Sequence, residues 1–343
     1  MSTPGEPDDA RPLLSVLDLA VVSEGTTSGD ALARTTALAR RADELGYHRF
    51  WVAEHHNMPT VASTAPAVLI AHLAAATHSI RIGSGGVMLP NHAPLAVAEQ
   101  FALLEALHPG RIDLGIGRAP GTDQATAAAL RRSALVETVD DFPRDLVDLM
   151  GLLGDVRREH GMWRRFSATP VAKSTPMIGL LGSSGYSAQL AGMLGLPFAF
   201  AHHFDTGGTL DALDLYREHF RPSAACPRPH AIVTAGVLAA DTDAEAIHLA
   251  GPGRLVRYGI RSGRFLPLVS PDDAATHASR DDAWRMPSSQ ILGSVATVMA
   301  GLADLVTATA ADEVMLSTTT YGLAERIRSI ELIADEWRLE PRA

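Results

Sequence analysis

Eight times along this chain a short apolar run ends in a glycine-rich or polar turn, and helical spacing follows. No other feature constrains the fold as much. Strands that alternate with helices pair in parallel and must bury both faces of their sheet. The strand-like runs are Leu13 to Val22, Arg49 to Ala53, Ser79 to Gly86, Arg111 to Gly115, Met177 to Leu181, Phe198 to Ala201, Ala231 to Ala239 and Glu313 to Ser317. Between them lie helical stretches. One is capped by Ser28 or Asp30 and stopped by Gly46, and others cover Ala65 to Ala76 and Pro94 to Leu107. A further one lies within Val136 to Leu153, and the rest run to Gly195, from Thr209 to Phe220, from a cap at Asp241 or Thr242, from Ser294 to Thr307 and from Leu323 to Trp337. The unit count reaches eight with no break in composition. The pattern therefore predicts one α/β domain over residues 13–343, a (β/α)8 TIM barrel rather than a doubly wound open sheet. Two stretches interrupt the rhythm. Asp155 to Thr175 reads as an inserted hairpin or loop, and Arg264 to Ser289 as a long polar active-site loop that closes the barrel mouth. Residues 1–12 read as a disordered tail.

Composition narrows the function. A formal charge of −10 without long runs of one sign argues against nucleic acid or an anionic membrane surface as partner. The single cysteine, Cys226, excludes an internal disulfide and a cysteine metal cage. No apolar run is long enough to span a bilayer, and the N-terminus lacks the basic and apolar regions of a secretion signal. The expectation is a cytoplasmic protein acting on a small molecule.

In a barrel of this type the reacting groups sit on the loops after the strands. Those loops hold Glu54-His55-His56, Gly85-Gly86, Gly117-Arg118, Gly182-Ser183-Ser184 and Ala201-His202-His203. Paired glycines at a strand end mark a bulge, a bend or a close approach of backbone to ligand. The turn from Gly182 to Ser187 runs from a strand into a helix N-terminus, where free N–H groups favour an anion and Ser183, Ser184 and Ser187 add hydroxyls. A plain serine cap is the competing reading. Arg118, the one cation in its loop, suits the geometry of a phosphate. The two histidine pairs do not read as a metal centre, because neighbours in an extended segment point to opposite sides. Gly115-Ile-Gly117-Arg-Ala-Pro-Gly121 misses the last spacing of a dinucleotide fingerprint, and no Gly-Lys-Ser/Thr phosphate loop occurs.

Five segments in register carry a resemblance: Ser15 to Leu19, Phe50 to His56, Gly83 to Pro90, Gly110 to Gly121 and Gly182 to Ser187. Gly293 and Ala311 to Ser317 extend it. Together they resemble the bacterial-luciferase-like flavin monooxygenases over nearly the whole chain. That family is a (β/α)8 barrel which binds FMN as FMNH2 and inserts one atom of O2 into an organic substrate through a C4a-peroxyflavin.

The resemblance implies roles residue by residue. Gly85-Gly86 matches a non-prolyl cis peptide against the flavin ring, and Arg118 with Gly182, Ser183, Ser184 and Ser187 matches the phosphate site. His55 matches the active-site histidine, with Glu54 beside it as a second catalytic candidate, and Ala201 and His202 lie where the sixth strand meets the ring. The luciferase proper has an aromatic residue where His202 stands and a cysteine where Gly117 stands, so the resemblance does not carry light emission over. Implied partners are a separate NAD(P)H:flavin reductase and a second copy of the chain in a homodimer. An F420-dependent oxidoreductase of the same superfamily and a flavin-binding protein without turnover are the alternatives.

Overall fold

The computed structural model describes residues 11–119, 121–122, 124–131, 141–204 and 206–341. In chain order the elements begin β1 (Leu13–Asp18), α1 (Ser28–Glu44), β2 (Arg49–Val52), α2 (Pro66–Ala76), β3 (Arg81–Met88), α3 (Pro94–Leu107) and β4 (Ile112–Gly117). They continue with α4 (Gln124–Arg131), α5 (Phe142–Leu152), β5 (Met177–Gly182), α6 (Gly185–Leu194), β6 (Phe198–Phe200), α7 (Thr209–His219) and β7 (Ala231–Ala240). The last are α8 (Asp243–Arg261), α9 (Pro271–Thr276), α10 (Arg280–Arg285), β8 (Ile291–Ser294), α11 (Val295–Thr309), β9 (Glu313–Ser317) and α12 (Leu323–Trp337). Strands β1 to β7 pair in sequence, and β9 closes the ring between β7 and β1. Every one of these pairings is parallel. The fold is the (β/α)8 barrel that the alternation predicts.

Alternation along the strands builds two apolar layers. On β2, Phe50 and Val52 join the large cluster between sheet and helices, while Trp51 joins Leu17, Ala199, Ile232 and Met315 inside the ring. Below this inner layer the barrel is charged. Arg49 lies 2.8 Å from Asp113 and 2.9 Å from Glu313, and Trp51 Nε1 donates to Asp113 at 3.0 Å. His230 pairs with Glu313 at 3.0 Å. Burial works to raise the pKa of Glu313, yet Arg49 and the His230 hydrogen bond hold it down at about 2.

Several expectations are corrected. The first strand ends at Asp18 instead of Val22, because Ala20 adopts a positive φ of 50°. Thr27, not Ser28 or Asp30, caps α1: its hydroxyl accepts from Asp30 N and the Asp30 carboxylate answers to Thr27 N, a reciprocal box. Strand β3 does not stop at the paired glycines but continues to Met88, with a register shift between Gly85 and Val87. Asp155 to Thr175 forms no hairpin; it is a loop with a single 3-10 turn at Met162–Arg164. Helix α5 falls within the span read for a fourth helix, residues 136–140 of which lie outside the described residues, whereas α4 was not legible. The tail at residues 1–10 also lies outside them.

The largest correction concerns the top of the barrel. Strand β7 outruns its neighbours, and β8 pairs with its last four residues, Val237 to Ala240. Between β7 and β8 the chain forms a roof. Helix α8 brings Gly253 against Thr319 at the end of β9, and Arg261 donates to the Phe204 carbonyl beyond β6 at 2.9 Å. The segment from Arg264 to Ser289 is not an irregular loop throughout, since it carries α9 and α10. Val269, Ala274 and Ala283 pack there with Leu255 of α8 as a small separate core. These apolar residues are too few and too widely spaced to show as a stripe. The roof is tied to the β1 loop by Glu24 N, which donates to the Leu268 carbonyl at 2.9 Å.

Candidate active site

The strand ends gather as the barrel requires. After β2 the chain is still extended, so Glu54 and His56 share one side while His55 lies on the other. Glu54 is fully buried and saturated: Oε1 faces His56 Nε2 at 2.9 Å, His92 Nε2 at 2.8 Å and Asn91 Nδ2 at 3.4 Å. Its Oε2 accepts from Met88 N at 3.0 Å. Burial pushes the Glu54 pKa up, but His92, His56 and the Met88 N–H outweigh it, and the carboxyl titrates below its ordinary value. One carboxylate thus ties the β2 loop to the stretch just beyond Gly85-Gly86. The peptide bond between those two glycines is cis, as the resemblance implies.

His55 behaves differently. Its Nδ1 is buried and has no hydrogen-bond partner among the described residues, and burial, with His56 adding to it against Glu54, lowers its pKa. The imidazole is therefore neutral near pH 7. His202 Nδ1 meets Thr209 Oγ1 at 2.8 Å, and burial lowers its pKa as well. His203, which the sequence singled out only as half of a pair, is pushed down to about 4 by burial, with Arg257, His202 and His55 contributing. Those influences put His55, His202 and Arg257 within electrostatic reach of His203. Ala201 N donates to the Gly182 carbonyl at 2.9 Å, which seats the end of β6 against the β5 turn.

The β4 and β5 turns also meet. The Arg118 guanidinium lies over the Tyr186 ring, 4.3 Å from its centroid, and Tyr186 belongs to the first turn of α6. Ser184 occupies the N-cap position of that helix, but its side chain makes no cap hydrogen bond. The competing reading, a serine that merely caps its own helix, does not describe this turn. Close packing accounts for Gly182, where a Cβ would stand 2.5 Å from Ser187 Cβ. Sequence reasoning missed His56, Asn91 and His92 as partners of Glu54. The i, i+2 spacing of Glu54 and His56 was the available signal for the first; the other two come from across the barrel rim.

Comparison with known proteins fits this geometry. The model of a family described as luciferase-like monooxygenase matches residues 14–328. A luciferase-like monooxygenase of Escherichia coli (strain K12) is 42% identical over 331 residues, spanning 94% of this chain and 96% of its own. The N-acetyl-S-alkylcysteine monooxygenase of Bacillus subtilis (strain 168) is 38% identical over 267 residues, 77% of this chain and 78% of that one. Among solved structures, apo-MsnO8 matches with a TM-score of 0.88 at 38% identity, over 97% of this chain and 100% of that chain. Two more distant structures share the fold alone. The oxygenating constituent of 3,6-diketocamphane monooxygenase from Pseudomonas putida, in complex with FMN, has a TM-score of 0.71 at 19% identity, over 95% and 98% of the two chains. An F420-dependent secondary alcohol dehydrogenase has a TM-score of 0.66 at 15% identity, over 94% and 99%.

Proposed function

The chain belongs to the luciferase-like monooxygenases, and from that premise we propose that it is an FMNH2-dependent enzyme supplied by a separate NAD(P)H:flavin reductase. The observation that carries this reading is the pairing of Arg118 with the uncapped N-terminus of α6. Backbone N–H groups at a helix start, serine hydroxyls and a guanidinium make a site for a phosphate ester. Gly85-Gly86 and Ala201-His202 would flank the ring, and the unpartnered Nδ1 of His55 leaves a polar group for ring or substrate to satisfy.

Bound there, reduced flavin would supply the two electrons that activate O2, one oxygen atom going to the substrate and the other leaving as water. This chain's own residues do the rest. His55, neutral at working pH, exchanges a proton at Nδ1 with the substrate side. Glu54 has both oxygens engaged and acts by positioning, holding His56, His92 and the Met88 backbone in place. The roof made by α8 to α10 excludes water from the mouth. Because the Bacillus relative is named for N-acetyl-S-alkylcysteine, an S-alkyl thioether is the first substrate class to try.

The decisive experiment mixes the protein anaerobically with FMNH2 or with reduced F420, then admits oxygen in the presence of N-acetyl-S-benzylcysteine. Tight FMNH2 binding and conversion of the thioether to its oxygenated product, beyond the hydrogen peroxide that free FMNH2 forms with O2, are expected. Hydride exchange with F420 and no oxygen uptake would replace the proposal with the dehydrogenase reading. Within the same assay, Arg118→Ala is expected to weaken FMNH2 binding roughly tenfold to a hundredfold, the worth of about 1.5 to 3 kcal/mol for a hydrogen bond to a charged group. An unchanged affinity at both low and moderate salt would remove Arg118 from the phosphate site.

A further inference from the structure

Helix α8 carries a cation that no carboxylate neutralises among the described residues. Residues 254, 257 and 261 follow the three-to-four spacing that puts side chains on one side of a helix. On that side Arg261 reaches the Phe204 carbonyl, and Arg257 acts electrostatically on His203. Arg254 sits at the edge of this face with only 8% of its surface exposed. Its guanidinium lies 4.7 Å from the centroid of the Trp284 ring, while Nε and Nη1 are buried and have no hydrogen-bond partner among the described residues. Among the described residues no carboxylate pairs with it, in a chain where Asp and Glu outnumber Lys and Arg by 39 to 29. The aspartates of α9 and α10 are engaged elsewhere: Asp281 with Arg280, Asp282 with Arg285, Asp272 with His248 and Asp273 with the Ser270 hydroxyl. A desolvated cation without a counter-ion is costly, and buried donors are ordinarily satisfied.

We propose that the roof of the barrel mouth holds a second anion site, built on Arg254, which takes the carboxylate end of the organic substrate. The proposal rests on the reading of the mouth as the substrate site. It is separate from the phosphate site, which lies across the barrel beyond β4 and β5, whereas α8 covers β9 and the end of β6. The Trp284 ring attracts the charge but supplies no oxygen acceptor for Nε and Nη1. A carboxylate supplies two, in the bidentate geometry that suits a guanidinium. Substrates of this enzyme are therefore acids, with the oxidised position held toward His55 and the acid group toward α8.

The test uses the whole protein without flavin, so that it succeeds or fails independently of the cofactor. Hexanoate and its neutral isostere hexanamide are titrated by calorimetry. Hexanoate is expected to bind roughly tenfold to a hundredfold more tightly. Arg254→Met should abolish that preference while folding at least as stably as the wild type, because it removes an unpaired buried charge. Arg254→Gln serves as a second variant with a polar head, and Arg118→Ala should keep the preference. Equal binding of acid and amide by the wild type would overturn the proposal. So would a preference that survives in both Arg254 variants, or one that disappears in Arg118→Ala and so belongs to the phosphate turn.

Discussion

Replacing Arg49 with methionine is expected to destabilise the protein by about 3 to 5 kcal/mol, the usual cost of removing one partner from a buried ion pair. Arg49 stands between Asp113 and Glu313 inside the barrel, and both of those carboxylates are fully buried. Without the guanidinium Asp113 keeps Arg81 and Glu313 keeps His230, but the two fully buried acids lose the cation they share. The pH dependence gives the assignment a sign. In the wild type Glu313 titrates at about 2, below its ordinary value of 4.5. Its contribution is therefore present above about pH 4.5 and is lost as the pH falls through 2. In the variant burial dominates and the carboxyl's pKa rises, so the lost stability should partly return as the pH is lowered from 7 toward 5. Urea unfolding followed by circular dichroism at both pH values measures this. A penalty of the same size at both would mean that the two acids are not the source.

Glu54→Gln is expected to separate chemistry from fold. The amide keeps the shape of the carboxylate but places an N–H2 group where one oxygen accepted. One of the donors now meeting that oxygen, Met88 N or a histidine, must then face another donor. An unsatisfied buried donor costs about 1 to 3 kcal/mol. If Met88 N is the group released, the backbone just past Gly85-Gly86 loosens. Turnover with reduced FMN should fall by about ten- to a hundredfold, chiefly in kcat, with a smaller effect on KM for the organic substrate. Glu54→Asp, which retains the charge at a shorter reach, should restore part of the rate. A lower melting temperature with kcat unchanged would show that Glu54 only holds the fold together.

The sequence by itself determined the barrel and the places where chemistry could sit. Both follow from local rules: strand and helix periods are properties of neighbouring residues, and in a parallel barrel every strand ends at the same mouth. Gly85-Gly86, Arg118 and the turn from Gly182 were legible as candidate positions, because glycines and a helix start mark backbone that can approach a ligand. Which partners each candidate residue meets was decided by closure of the ring. Glu54 reads in sequence as the neighbour of His55, yet its hydrogen bonds go to His56, Asn91, His92 and Met88. Three of those four lie more than thirty residues along the chain. The roof was hidden for a related reason. Its apolar residues are sparse, and only when α8 folds back over the strand ends do Leu255, Val269, Ala274 and Ala283 find one another. Arg254 could not be told from a surface arginine until that packing took it out of water. Burial and partner choice are long-range quantities, fixed by which elements the closed barrel sets side by side.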